Sequence, residues 1–93
     1  MKIVINECYG GFGISDAARK LLRSKKYKYD WEIKRDDPKL IDLIEKKGSE
    51  FVSDQYACLA IADIPEEATD YKINDYDGYE SIIYVIDGKI KTL

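Results

Sequence analysis

The sequence has no histidine, two prolines, two cysteines and no long apolar run. Without histidine the chain lacks the most common catalytic acid–base and the most common metal ligand of proteins. The remaining Asp, Glu, Lys and Tyr residues form no pair at a spacing typical of catalysis. We therefore expect a non-catalytic protein without a metal or a cofactor.

Targeting and membrane signals are also missing from the sequence. No signal peptide is visible, and no segment approaches the roughly 20 apolar residues that a membrane span requires. These absences predict a soluble, cytoplasmic protein with no membrane partner.

The two cysteines, Cys8 and Cys58, are too few for a disulfide framework. Each lies in or beside an apolar, strand-like run, so we expect buried free thiols, as in a reducing cytosol. Cys8 also precedes a predicted helix start, a position that lowers the pKa of a thiol. Without histidine, however, a Cys–His catalytic pair within one chain is excluded.

Length and charge limit the remaining classes of protein. The 93 residues fit one compact domain, 1–93, with a thin core. The net charge of -3, with both signs interspersed, argues against direct nucleic-acid binding. Eight tyrosines suit either a partly wet binding surface or a small core, and both interpretations stay open.

Hydrophobic periodicity predicts two helices and six strand-like segments, one of them short, of which four to five form the sheet. A mixed β-sheet with two helices follows, an α+β or small α/β fold whose strand order the sequence leaves open. Asp37 before Pro38 and Gly48 after two lysines predict the limits of the second helix, and Asp87-Gly88 predicts a hairpin. The predicted strands are 2–8, 27–34, 56–64, a short one at 71–73, 81–86 and 89–93, the predicted helices are 15–25 and 38–47, and 49–55 is a connection.

The segment between the first strand and the first helix is the best candidate site. It contains half of the glycines of the chain, beside aromatic rings and a predicted N-cap at Ser15. Backbone amides at such a turn can hold an anion while aromatic rings stack on a base. The alternative is that the glycines only shape a tight turn, because neither the phosphate-loop nor the dinucleotide spacing is present. The candidate ligand-binding residues are Cys8, Tyr9, Gly10, Gly11, Phe12, Gly13 and Ser15.

A second candidate region lies in the acidic stretch from Asp70 to Glu80, where Lys72 is the only base. The segment 75–80 is similar to part of a calcium loop, but Ile73 stands where its first acidic ligand belongs. A solvated turn is therefore the favoured interpretation. Its side chains that could line a pocket or a partner surface are Asp75, Tyr76, Asp77 and Tyr79.

Four motifs stand together in this sequence: the stretch 8–15, Asp36-Asp37-Pro38 before a Leu/Ile helix, Ile64-Pro65-Glu66 and the segment 75–78. With these motifs the chain resembles a family of short, mostly uncharacterised bacteriophage and prophage proteins. The resemblance covers nearly the whole chain and carries no known catalytic or binding residues. Family members often end in a basic and aromatic tail, whereas this chain ends Lys89-Ile90-Lys91-Thr92-Leu93.

The resemblance implies a small accessory protein that binds and disables a component of the bacterial host. The leading hypothesis is a counter-defence protein that sequesters a nucleotide-type small-molecule signal at the glycine-rich segment, as a candidate homo-oligomer. One alternative is a protein inhibitor of a host defence nuclease, of the anti-CRISPR type, that acts through the acidic stretch. The other is a phage structural or assembly protein.

Overall fold

The computed structural model describes residues 1–22 and 33–93, and its elements there are five strands and three helices. In chain order they are β1 (Lys2–Asn6), α1 (Asp16–Leu21), α2 (Pro38–Lys47), α3 (Ser49–Val52), β2 (Leu59–Asp63), β3 (Asp70–Tyr76), β4 (Tyr79–Ile86) and β5 (Lys89–Thr92). The predicted α+β class is confirmed.

The strands divide between two sheets, where the sequence suggested one mixed sheet. β1 pairs with β2, with Lys2 opposite Asp63 and Asn6 opposite Leu59. β3, β4 and β5 form a meander in that order. All of these described pairs are antiparallel. Asp-Gly turns connect β3 to β4 and β4 to β5, and such two-residue turns require antiparallel neighbours.

The apolar run in β1 is buried on both faces, as its continuous β-branched pattern predicts. Val4 packs into a core with the three helices, whereas Ile3 and Ile5 face Ile82 of β4. The two-stranded sheet therefore lies between a helical layer and the three-stranded meander. Both cores depend on β1.

The second helix follows its predicted limits. Asp37 caps it by accepting a hydrogen bond from the Lys39 amide at 2.8 Å, and Pro38 occupies the first turn. Gly48 ends it at a φ of 89°, and its amide donates to the Ile44 carbonyl at 2.8 Å. These are the cap, proline and glycine signals that the sequence contains.

Other element limits differ from the sequence predictions. The connection 49–55 contains the short helix α3, because Gly48 is both the residue that ends α2 and the residue that precedes α3. The strand predicted from Tyr56 begins at Leu59, since Asp54 Oδ1 accepts from the Tyr56 amide at 2.9 Å and holds a turn there. β3 extends well beyond the predicted Tyr71–Ile73.

Two predictions extend into residues 23–32, which lie outside the described part of the chain. The first helix is described from Asp16 to Leu21, with Leu22 as its C-cap. Of the strand predicted over 27–34, only Ile33 and Lys34 are described, and neither belongs to a strand.

Candidate functional site

Two of the glycines between β1 and α1 allow close approach of the chain to the turn before β2. A Cβ on Gly10 would lie 1.7 Å from the Tyr56 carbonyl oxygen, and one on Gly13 would lie 2.0 Å from Asp54 Oδ2. Gly11 differs, because its φ is +89° and nothing lies within 4 Å of its Cβ position. Gly10 and Gly13 thus have a packing role, and Gly11 leaves open space beside its backbone.

The β3–β4 turn docks on this glycine-rich segment. A Cβ on Gly78 would lie 2.6 Å from the Gly11 amide nitrogen and 2.9 Å from the Tyr9 carbonyl oxygen. Such distances leave room for glycine alone. The structure therefore brings the two regions singled out in the sequence, 8–15 and 75–79, into direct contact.

Asn6 holds these segments together, and sequence reasoning missed it. Its side chain is fully buried, and Nδ2 donates at 2.7 Å to both the Cys8 and the Gly78 carbonyl oxygens. Its Oδ1 accepts from the Cys58 amide at 2.7 Å. A polar amide at the end of an otherwise apolar strand was the available signal, since a buried amide must find partners.

An ion pair between the half-buried Arg35 and the buried Glu80 lies beneath the docked turn. Glu80 is 5% exposed and receives two hydrogen bonds from Arg35, at 2.5 and 2.7 Å. Glu80 also accepts a hydrogen bond from the backbone amide of Asn6 at 2.8 Å. The Arg35 guanidinium carbon lies 3.7 Å from the centre of the Phe12 ring. The sequence analysis expected the Phe12 ring to stack on a base, but one face of this ring is in contact with Arg35.

Glu80 is the exception to the solvated turn that the sequence predicts over 75–80, because its side chain is buried. The stretch 70–80 forms β3, a turn and the start of β4, and Glu80 points inward to a matched arginine. Sequence reasoning missed Arg35, which stands in the loop before α2. The sequence could not reveal this pair because its members are 45 residues apart.

Exposed tyrosines surround the point where the turn docks. The Tyr9 and Tyr79 rings have centroids 5.4 Å apart, and Tyr76 lies directly opposite Tyr79 across the hairpin. Tyr9 is 68% exposed and Tyr76 is 73% exposed. We call Tyr9, Tyr76 and Tyr79 the tyrosine face. The exposed acids Asp75 and Asp77 belong to the same hairpin, and Asp75 Oδ1 accepts from the Gly78 amide at 2.8 Å.

Ser15 has a different setting from Tyr9. Its hydroxyl accepts from the Ala18 amide at 3.1 Å, which caps α1, and donates to the Phe51 carbonyl at 2.7 Å. It also borders a cavity of about 520 Å³. The lining residues are Ile14, Ser15, Asp16, Arg19, Ser53, Asp54, Gln55 and Tyr56. The predicted ligand-binding residues therefore lie at two different places, since Tyr9 is at the docked turn and Ser15 borders this cavity.

The thiols are not buried, which corrects the sequence prediction. Cys58 is exposed and Cys8 is half-buried, because both lie just outside the paired residues of β1 and β2. Cys8 Sγ donates to the Tyr56 carbonyl at 3.1 Å. Hydrogen bonds from the Cys58 thiol and the Gly10 amide lower the pKa of Cys8, and the same thiol contact raises the pKa of Cys58.

The described residues contain no group of three or more Cys, Asp or Glu side chains that could hold a metal ion. Among these residues, every helix falls short of the length and apolar character needed to traverse a bilayer. Comparison with known proteins gives no match to a family model, a curated protein or a solved structure.

Proposed function

We propose that this chain is a non-catalytic binding protein of the phage or prophage counter-defence type, acting in the cytoplasm of a bacterial host. The observation that carries the proposal is the contact between the glycine-rich segment and the β3–β4 turn, which gathers three exposed tyrosines. Tyrosine is enriched where proteins bind partners, because it offers a large area at a low entropic cost.

The charge around the tyrosine face favours a basic partner. Asp75 and Asp77 are exposed on the same hairpin, and Arg35 nearby is matched by Glu80. A defence nuclease presents a basic surface to nucleic acid, so the acids complement it and the tyrosines supply the contact area. The proposed mechanism is stoichiometric occupation of that surface.

The second candidate is sequestration of a nucleotide-type small molecule. The observation in its favour is Gly11, whose Cβ position borders open space two residues along the chain from the exposed Tyr9. Tyr9 could stack on a base there. A phosphate group would lie near Asp77, however, and the Arg35 charge is already paired, so charge favours the protein partner.

The test compares the two Asp-Gly turns. Asp77→Asn and Asp87→Asn each remove one charge while keeping a residue that tolerates the positive φ of 50° or 52° at that position. Inhibition of DNA cleavage is measured on a panel of purified bacterial defence nucleases at two salt concentrations. We expect wild-type inhibition to weaken with salt, and Asp77→Asn to weaken it more than Asp87→Asn.

The tyrosines have their own matched control. Tyr79 is 40% exposed and Tyr71 is 37% exposed, so Tyr79→Ala and Tyr71→Ala remove the same side chain at similar exposure. We expect Tyr79→Ala to reduce inhibition by roughly tenfold or more, as for a binding hot spot, and Tyr71→Ala to leave it near the wild-type value. Equal losses would contradict the assignment of the tyrosine face.

Native mass spectrometry of the purified chain decides between the candidates. A stoichiometric nucleotide-sized adduct that Tyr9→Ala abolishes would favour the small-molecule candidate. The same spectra report the oligomeric state. Inhibition of no nuclease in the panel, together with such an adduct, would replace the first proposal by the second.

A further inference from the structure

Cys8 and Cys58 both lie at the end of the two-stranded sheet, next to the side chain of Asn6. The Glu7 amide donates to the Cys58 carbonyl at 2.8 Å, which continues the ladder one residue beyond Asn6. Asn6 Oδ1 accepts from the Cys58 amide at 2.7 Å and lies 3.5 Å from Cys8 Sγ. The two thiols also act on each other, because each one shifts the pKa of the other in the opposite direction. The sheet and a buried amide thus hold both cysteines in place.

The environments of the two thiols are unequal. Cys8 is half-buried under the glycine-rich segment, where the Cys58 thiol and the Gly10 amide can donate to its sulfur. Cys58 is exposed and has Glu7 as an acidic neighbour. The Tyr56 carbonyl accepts from the protonated Cys8 thiol at 3.1 Å, but the two donors outweigh it and favour a thiolate at Cys8. A carboxylate disfavours a thiolate at Cys58. Cys8 is therefore suited to attack a disulfide first, and Cys58 is suited to attack the resulting mixed disulfide.

We propose that Cys8 and Cys58 form a thiol–disulfide exchange site that reacts with low-molecular-weight disulfides such as oxidised glutathione. The Cys8 thiolate attacks one sulfur of the disulfide, forms a mixed disulfide and releases one glutathione thiolate, which takes a proton from water. Cys58 then loses its proton and attacks the Cys8 sulfur, which releases the second glutathione. Two protein thiols are oxidised to one disulfide, and one glutathione disulfide is reduced to two thiols.

This reaction has a structural consequence next to the tyrosine face. A bond between Cys8 and Cys58 fastens the start of the glycine-rich segment to the turn before β2. Tyr9 is the next residue after Cys8, and Tyr56 packs against Gly10. Oxidation therefore restricts the backbone that presents Tyr9. The exchange site does not depend on the identity of any binding partner.

The experiment treats the purified full chain with oxidised glutathione at neutral pH and follows intact mass. We expect the wild type to lose two hydrogens without retaining glutathione, and to stay monomeric by mass. Cys58→Ser should retain one glutathione on Cys8, because the resolving thiol is gone. Cys8→Ser should react at least about tenfold more slowly than Cys58→Ser.

Three results would overturn the proposal: a wild type that keeps its glutathione, a disulfide between two chains, or equal rates for the two serine variants. Circular dichroism verifies that each variant is folded. A measurement without variants gives an independent check. Brief alkylation of the wild type with iodoacetamide over a pH series should label Cys8 before Cys58 and at lower pH, and the reverse order would contradict the assigned roles.

Discussion

The β3–β4 and β4–β5 turns have the same dipeptide and nearly the same backbone, yet different surroundings. Asp77 and Gly78 have φ values of 50° and 90°, and Asp87 and Gly88 have 52° and 72°. Positive φ at both positions is the geometry that Asp-Gly adopts in tight hairpins. Gly78 lies against Gly11 and Tyr9, whereas nothing lies within 4 Å of the Cβ position of Gly88.

The difference arises from distant residues rather than from the turns themselves. Asn6 binds the Gly78 carbonyl, and Asp75 binds its amide. In the second turn Val85 stands where Asp75 stands in the first, counted back from the glycine. The local sequence therefore determines the shape of a turn, whereas hydrogen bonds with other residues determine whether the turn contributes to a site.

The largest effect should come from the residue that anchors the docked turn. Glu80 is the second residue after Gly78, and Ile90 is the second after Gly88. Glu80→Ala removes the buried carboxylate that accepts hydrogen bonds from the Arg35 guanidinium and from the backbone amide of Asn6. We expect a loss of about 3–5 kcal/mol in the free energy of unfolding, measured by urea denaturation.

Ile90→Ala is the matched control for this substitution. Ile90 is 75% exposed, so we expect a change of about 0.5 kcal/mol or less. Similar losses at the two positions would mean that the docked turn has no special anchor.

A smaller difference should separate the two turn glycines. Gly88→Ala places a side chain at positive φ in open space, which costs about 1–2 kcal/mol. Gly78→Ala has the same strain and in addition forces its Cβ against Gly11 and Tyr9, for about 1–3 kcal/mol more. Urea denaturation of both variants measures the difference, and equal costs would show that the turn can leave its dock freely.

The smallest effect concerns the ring contact at the dock. A double-mutant cycle of Tyr9→Ala and Tyr79→Ala should give a coupling energy of about 0.5–1.5 kcal/mol in unfolding experiments, since the ring centroids are 5.4 Å apart. Lys89 follows the second turn as Tyr79 follows the first. A cycle of Tyr9→Ala with Lys89→Ala should give no coupling, and a value equal to that of the tyrosine pair would contradict a local contact.

Local signals in the sequence were sufficient for much of the fold. Asp37, Pro38 and Gly48 define α2 through caps and backbone preferences that act within a few residues. The Asp87-Gly88 hairpin and the two-sided burial of β1 were likewise predictable. The same kind of signal failed at residues 49–58, where the side chain of Asp54 holds a turn that the apolar pattern does not reveal.

The candidate site was only partly predictable, because its connections are long-range. The sequence singled out Tyr9, Gly11 and Tyr79, but nothing in it indicated that they meet. Asn6 and Glu80 bring them together across more than seventy positions of chain. Charge and hydropathy patterns carry no information about such partners. Cys58 was predicted to be buried for a related reason, since the pattern did not reveal where pairing in β2 begins.

The placement of β1 between two cores has a consequence for synthesis of the protein. Lys2 pairs with Asp63, and Ile3 and Ile5 pack against Ile82. On the ribosome, this strand emerges long before the residues that cover its two faces. The face of its β-branched run that carries Ile3 and Ile5 therefore stays exposed until Ile82 has been synthesised, and the nascent chain is until then most dependent on chaperones that shield apolar segments.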